Sequence, residues 1–174
     1  LGIVAIYTWY YTDLSKADVY RYYFDGMAMA KLHAQQPSEF WLNWLGLAQD
    51  FDYDGKYFDQ MANWTLPYDN RMYNNNRIVI RIHAFFALIS DRSIWQHSLL
   101  FAWIGFGASY ALGSILARWL KVRSDWSILG TLFFPSLWLW ASAPLKEPIV
   151  LAGMALCLWS AWFLSKKSWL GILG

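Results

Sequence analysis

The sequence predicts an all-α protein, a polytopic membrane helical bundle with interfacial amphipathic helices in its first outer loop. Three observations carry this. The 174 residues are 57% hydrophobic and 20% aromatic, with 13 Trp. Only 15% are charged, against roughly 25% in an average soluble domain. Apolar segments in the second half approach or reach the roughly 17–25 residues that cross a ~30 Å hydrocarbon layer. A net charge of +2 is too small to attract a polyanion, so no nucleic acid partner is expected. Cys157 is the single cysteine, which excludes an internal disulfide.

The elements follow in chain order within one transmembrane domain, 1–174. Residues 1–12, "LGIVAIYTWYYT", read as the end of a first span. "SWLGILG" reads as the start of a further apolar segment, so the chain is expected to be the N-terminal part of a larger membrane protein. Residues 13–76 form a polar outer loop. In it, "ADVYRYYFDGMAMAKLHAQ" has helical spacing, with Val19, Tyr22 or Tyr23, Met27 and Ala30 on one face. "SEFWLNWLGLAQDF" is a second helix with Ser38 as its N-cap. Helices this rich in Trp and Tyr tend to lie in the headgroup plane. Asp50, Asp52, Asp54 and Asp59 make a solvated acidic turn rather than a calcium loop, because no Glu closes the loop at its twelfth position. "NWT" at Asn63 fits a glycosylation triplet.

Residues 78–117 hold an apolar interfacial helix, Ile78 to Ser90, and the second span, His97 to Ala117. Gly105, Ser109 and Gly113 recur at four-residue steps on that span, the small-xxx-small pattern of close helix contact. Residues 127–143 are the third span, which Pro135 is predicted to kink. Residues 149–164 are the fourth. Arg118, Lys121 and Arg123 follow the second span, and Lys166 and Lys167 follow the fourth. Two spans separate these basic loops, so they share a side, which the positive-inside rule makes cytoplasmic. The loop 13–76 and the turn "APLKEP" then lie outside.

Lys146 and Glu147 are the only charges between Asp125 and Lys166. They sit where a helix begins beside Pro148, and unpaired N–H groups with an adjacent Lys suit a phosphate at the membrane surface. Charges that merely mark a membrane exit are the plain alternative. Asp18 and Asp25, seven residues apart, share nearly one helical face with Tyr22 between them. Asp18 falls just after the first span emerges. Arg77 and Arg81 enter the apolar helix and suit headgroup or phosphate contact, while His83 reads as a packing or interface residue rather than a base.

The early Asp of "ADVYRYYFDGMAMA", the Arg-led "NRIVIRIHAFFALIS…GASYALGSILARWL" and the paired segments "LGTLFFPSLWLWASAPLKEPIVLAGMALCLW" together resemble the GT-C class of integral-membrane glycosyltransferases, in particular its mannosyltransferase-like members. That resemblance implies transfer of a sugar from a polyprenyl-phosphate carrier to a glycan, lipid or protein acceptor, with membrane lipids around it. The site would face outward from a bacterial inner membrane, toward the periplasm. It implies Asp18 as base with Asp25 in support, and Lys146, Glu147, Arg81, Arg77 and Tyr22 as phosphate- or substrate-binding residues. Asp18 has no neighbouring acid of the Asp-x-Asp or Glu-x-Asp kind some members carry, so no metal ligand is assigned and a divalent metal stays open as a cofactor. A polysaccharide polymerase or assembly protein, and a non-catalytic membrane scaffold, are the other readings.

The topology makes a direct prediction. With Cys157 replaced, a cysteine at Lys121 should resist a membrane-impermeant thiol reagent in intact cells, and one at Lys146 should react. Labelling at 121 from outside reverses the orientation.

Overall fold

The computed structural model describes residues 2–47, 60–64 and 76–166. Among them all regular structure is helical: eight α-helices and one 3-10 turn, with no strand. The chain divides into two compact units, Leu1–Leu100 with Pro144–Lys146, and Phe101–Ala143 with Glu147–Gly174.

In the first unit, α1 (Gly2–Tyr10) leads to a 3-10 turn at Leu14–Lys16. Asp13 caps that turn, its carboxylate accepting from the Ser15 backbone N–H at 3.1 Å and from the Ser15 hydroxyl at 2.6 Å. Helix α2 (Asp18–Gln35) opens on an acid, which the positive end of a helix favours. It stops before Pro37, because a proline disfavours helical geometry in the residue ahead of it; Gln36 is accordingly non-helical. Helix α3 (Pro37–Leu45) ends at Gly46, whose φ of 74° is one that glycine adopts without strain. There the Leu47 N–H reaches back to the Leu42 carbonyl at 2.9 Å.

Helix α4 (Asn76–Ile89) packs along α2. Val19, Tyr22, Gly26, Met29 and Ala30 of α2 are buried, as are Val79, Ile80, His83, Ala84 and Ala87 of α4. Met29 takes the place expected for Met27, which is only half-buried. The apolar side of α2 is therefore used in packing helix on helix. Gly26 is the crossing point: a Cβ there would overlap the His83 Cβ and lie 3.1 Å from the Ala84 nitrogen.

Helix α4 does not run into the next helix. Ser90 to Ser93 break the chain, with Arg92 at a φ of 57°. Asp91 and Gln96 close the break reciprocally: the Asp91 N–H donates to Gln96 Oε1 at 2.8 Å and Gln96 Nε2 donates to Asp91 Oδ2 at 3.2 Å. Helix α5 then runs from Ile94 to Leu120, longer at both ends than the span expected at 97–117.

The second unit holds most of α5 with α6 (Ser124–Phe133), α7 (Pro135–Ala141) and α8 (Glu147–Lys166). Two described helices, Ile94–Leu120 and Glu147–Ser165, are long and apolar enough to cross a membrane, against the four spans expected. The segment expected as a single span at 127–143 is instead two helices. Pro135 has no N–H and disfavours helical geometry in its predecessor, and Phe134 is extended at φ −66°, ψ 116°.

Helices α6 and α7 together run back along α5. The Ser127 hydroxyl donates to the Gly113 carbonyl at 2.8 Å, and the Thr131 hydroxyl to that of Ser109 at 2.9 Å. A Cβ on Gly105 would overlap the Ala141 carbonyl, and one on Gly113 would come 2.7 Å from the Ile128 Cα. The small-residue stripe is thus the surface on which α6 and α7 lie. Helix α8 returns in the direction of α5: Leu151 packs with Ala108, and further along Trp159 and Trp162 meet Arg118.

The crossing at Gly26 sets a stability prediction. Gly26→Ala should lower the unfolding free energy by about 1–3 kcal/mol, the cost of overpacking a close contact. Gly107→Ala, where an added Cβ meets nothing within 4 Å, should be neutral or stabilising. Equal thermal midpoints for the two variants would contradict this packing.

Candidate functional site

Six of the seven residues singled out from the sequence lie in the first unit, all but Glu147. Lys146 lies in the turn that returns to this unit, and its ammonium donates to Asn76 Oδ1 at 3.2 Å. The Tyr22 hydroxyl donates to the same oxygen at 3.1 Å. The first residue of α4 thereby joins α2 to the 144–146 turn, although 70 positions separate it from Lys146.

Arg77 follows Asn76 and is 2% exposed. Its Nε donates to the Trp64 carbonyl at 2.9 Å, and its guanidinium lies 4.8 Å from the centre of the Trp64 ring. Arg81, one turn on, shares that ring at 5.4 Å. Arg81 also ties α3 to α4: its Nε donates to the Asn43 carbonyl in the last turn of α3, and the Trp44 indole donates to the Arg81 carbonyl, both at 2.9 Å. A cation at the carbonyl end of a helix is favoured by the helix dipole.

Asp25 sits behind this group and is 3% exposed. One carboxylate oxygen accepts from the Ala62 N–H at 2.9 Å; the other accepts from the Asn63 N–H at 2.8 Å and from its side-chain amide at 3.2 Å. Burial pushes this carboxyl above the ordinary carboxylate value, and the bonds from Ala62 and Asn63 oppose the shift. Both oxygens are engaged in holding segment 60–64, which carries Trp64 to the two arginines. Asp25 is therefore placed as a positioning residue. Asn63, 4% exposed with its amide on Asp25, is not presented as a glycosylation acceptor in this fold.

His83 decides where the 144–146 turn goes. It is fully buried, and its Nε2 lies 3.3 Å from the Pro144 carbonyl. A carbonyl only accepts, so the proton sits on Nε2 and Nδ1 is left as an acceptor. His97 Nδ1–H supplies that bond at 2.8 Å, and the Ser90 hydroxyl donates to His97 Nε2 at 3.1 Å. Ser90 in turn accepts from the Arg92 N–H at 3.3 Å, and the Tyr23 hydroxyl donates to the Arg92 carbonyl. Each buried ring nitrogen is thus satisfied by a single consistent assignment of protons.

Asp18 and Glu147 stand apart from this cluster. The Asp18 side chain is 63% exposed and faces Arg21 at 3.6 Å, a pair along one helix face. It lies one turn before Tyr22 on α2. Glu147 opens α8 in the second unit, where an acid suits the helix start. Its Oε2 is buried and accepts no hydrogen bond from the described residues. The Asp50–Asp59 acids fall outside the described residues. Among those described, no three His, Cys, Asp or Glu side chains come together as metal ligands.

Asn76, Trp64 and His97 were not found from the sequence. Asn76 ends the run "NNN", and Trp64 is one of 13 tryptophans; neither carries a periodic signal. His97 was visible only as a polar residue at the start of an apolar run. The fold fixes an ammonium and a phenol hydroxyl on one amide oxygen, and two guanidinium groups on the Trp64 ring. Comparison with family models, with curated proteins and with solved structures returns no match.

The Asp25 clamp can be read directly. Asp25→Asn keeps the shape but turns an NH2 group toward backbone N–H donors, and an unmet buried donor costs about 1–3 kcal/mol. Hydrogen exchange at the Ala62 and Asn63 amides should quicken accordingly. Unchanged protection would remove Asp25 from its positioning role.

Proposed function

We propose that the chain is part of a multi-pass membrane glycosyltransferase of the GT-C kind, moving a sugar from a polyprenyl-phosphate carrier to a glycan, lipid or protein acceptor. In this reading α5 and α8 cross the membrane and the α6–α7 pair makes the pass between them, broken at Pro135. The loop 13–76 and the turn at 144–146 face the periplasm. The observation that carries the reading is the Lys146 ammonium held on Asn76 beside the Tyr22 hydroxyl, one helical turn from an exposed carboxylate.

Asp18 accepts the proton of an acceptor hydroxyl. The acceptor oxygen forms a bond to the anomeric carbon as the bond from that carbon to the carrier phosphate breaks. The departing polyprenyl phosphate takes the electron pair, and Lys146 meets the charge that develops on it. Arg77 and Arg81 add positive potential from the Trp64 side. The residues fit a cation-assisted leaving group without requiring a metal, and a divalent ion bound when the carrier is present would add to the same stabilisation.

Turnover of a polyprenyl-phosphate sugar by the protein in nanodiscs tests this. Asp18→Asn cannot take the proton, so the rate should fall ~10²–10⁴-fold while carrier binding survives. Lys146→Ala should lower affinity and rate together, by about 10²–10³-fold in rate, and Lys146→Arg should recover part of it. Normal turnover by folded Asp18→Asn leaves Asp18 as a helix-start charge, and normal turnover by Lys146→Ala removes the phosphate role.

A further inference from the structure

We infer that the end of helix α5 is a binding site for the headgroup of an anionic phospholipid, centred on Arg118. The inference rests on the membrane part of the reading above and not on sugar transfer. The Arg118 guanidinium lies 4.7 Å from the centre of the Trp159 ring and 4.8 Å from that of Trp162, successive aromatic faces on α8. Stacking on rings uses the faces of the guanidinium. Ring contacts do not consume its five N–H donors, whose planar fork matches a phosphate.

Arg118 is exposed, and no described carboxylate lies within ion-pairing distance of it. The nearby Arg123 is already committed, donating to Asp125 at 3.1 Å. That leaves Lys121 as the second exposed cation of this turn, and its backbone marks it out. Lys121 has a φ of 54°, and the Val122 N–H reaches back to the Ala117 carbonyl at 3.2 Å. This helix ending normally places glycine at the left-handed position. A lysine held there, despite a left-handed cost of roughly 1–2 kcal/mol, puts a second ammonium one turn beyond the stacked guanidinium.

The surroundings match the partner in polarity as well as charge. Arg118 is in the last turn of a 27-residue apolar helix. Trp119, next in the chain, and Trp126, in the first turn of α6, are 47% and 69% exposed. Indoles favour the boundary between headgroups and acyl chains, where a phosphate meets the cations and the chains meet the rings. Anionic headgroups supply the net negative charge that zwitterionic ones lack.

The test is a thermal-unfolding titration of the whole chain in a neutral detergent, with dihexanoyl-phosphatidylglycerol as ligand. Dihexanoyl-phosphatidylcholine and inorganic phosphate are the comparison arms. Phosphatidylglycerol should raise the midpoint saturably, and the other two should not. Arg118→Gln should weaken half-saturation about tenfold or more, which is roughly one charge-assisted contact. Trp162→Leu should weaken it while the charge is kept.

Lys121→Gly separates binding from folding. It relieves the left-handed backbone, so the unliganded midpoint should hold or rise while the lipid response weakens. An unaltered lipid response in Arg118→Gln and Lys121→Gly would overturn the inference. So would an equal response of the native chain to phosphatidylcholine or to free phosphate.

Discussion

A histidine sealed from water must place its ring proton on something that only accepts, and for His83 that acceptor is the Pro144 carbonyl. The first unit depends on this bond. His83 sits where α2 and α4 come closest, over Gly26, so no water can substitute without parting the helices. Leaving the Nε2 proton unmet would carry the desolvation cost of a buried donor. The turn 144–146 is therefore drawn onto α4, and Lys146 arrives at Asn76 as a result. The cation that attracted notice in the sequence is positioned by a neutral ring two helical turns from its own partner.

The two units hold together by different means. In the first, side chains bridge long separations through defined bonds: Asp25 to Ala62 and Asn63, Arg81 to Asn43, Tyr22 to Asn76. In the second, backbones approach closely over Gly105 and Gly113, and the hydroxyls of Ser127 and Thr131 donate to carbonyls of α5. In the proposed membrane setting the lipid tails are as apolar as the side chains, so close contact and interhelical hydrogen bonds are what remain to drive association. A surface made of small residues serves that purpose, and a surface rich in arginine and tyrosine does not.

What could be read from the sequence was whatever shows within one helix or one turn. Pro135 announced the break between α6 and α7, the Gly105–Ser109–Gly113 spacing announced a packing stripe, and an apolar tract around Lys146 made its charge conspicuous. Periodicity also found the buried side of α2, though with Met27 in place of Met29. Long-range meetings had no such trace. Nothing near Trp64 indicates that two arginines will stack on it, and nothing near Asp25 indicates that its oxygens will be used by backbone 37 and 38 positions away. Hydropathy also counted four spans where two described helices have the length, because an average over a window does not register a break in the hydrogen-bond ladder.

The return of residues 144–146 to the first unit has a consequence in time. A chain made from its N-terminus exposes α2 and α4 long before Pro144 exists, and α5, α6 and α7 must all be synthesised in between. Until then His83 lacks the Pro144 carbonyl, and Asn76 lacks the Lys146 ammonium. The first half of the molecule must therefore wait, partly assembled, for the second. Its completion reports that the intervening helices have been made, so a truncation just before Pro144 would remove three residues from the first unit and with them the contacts to His83 and Asn76.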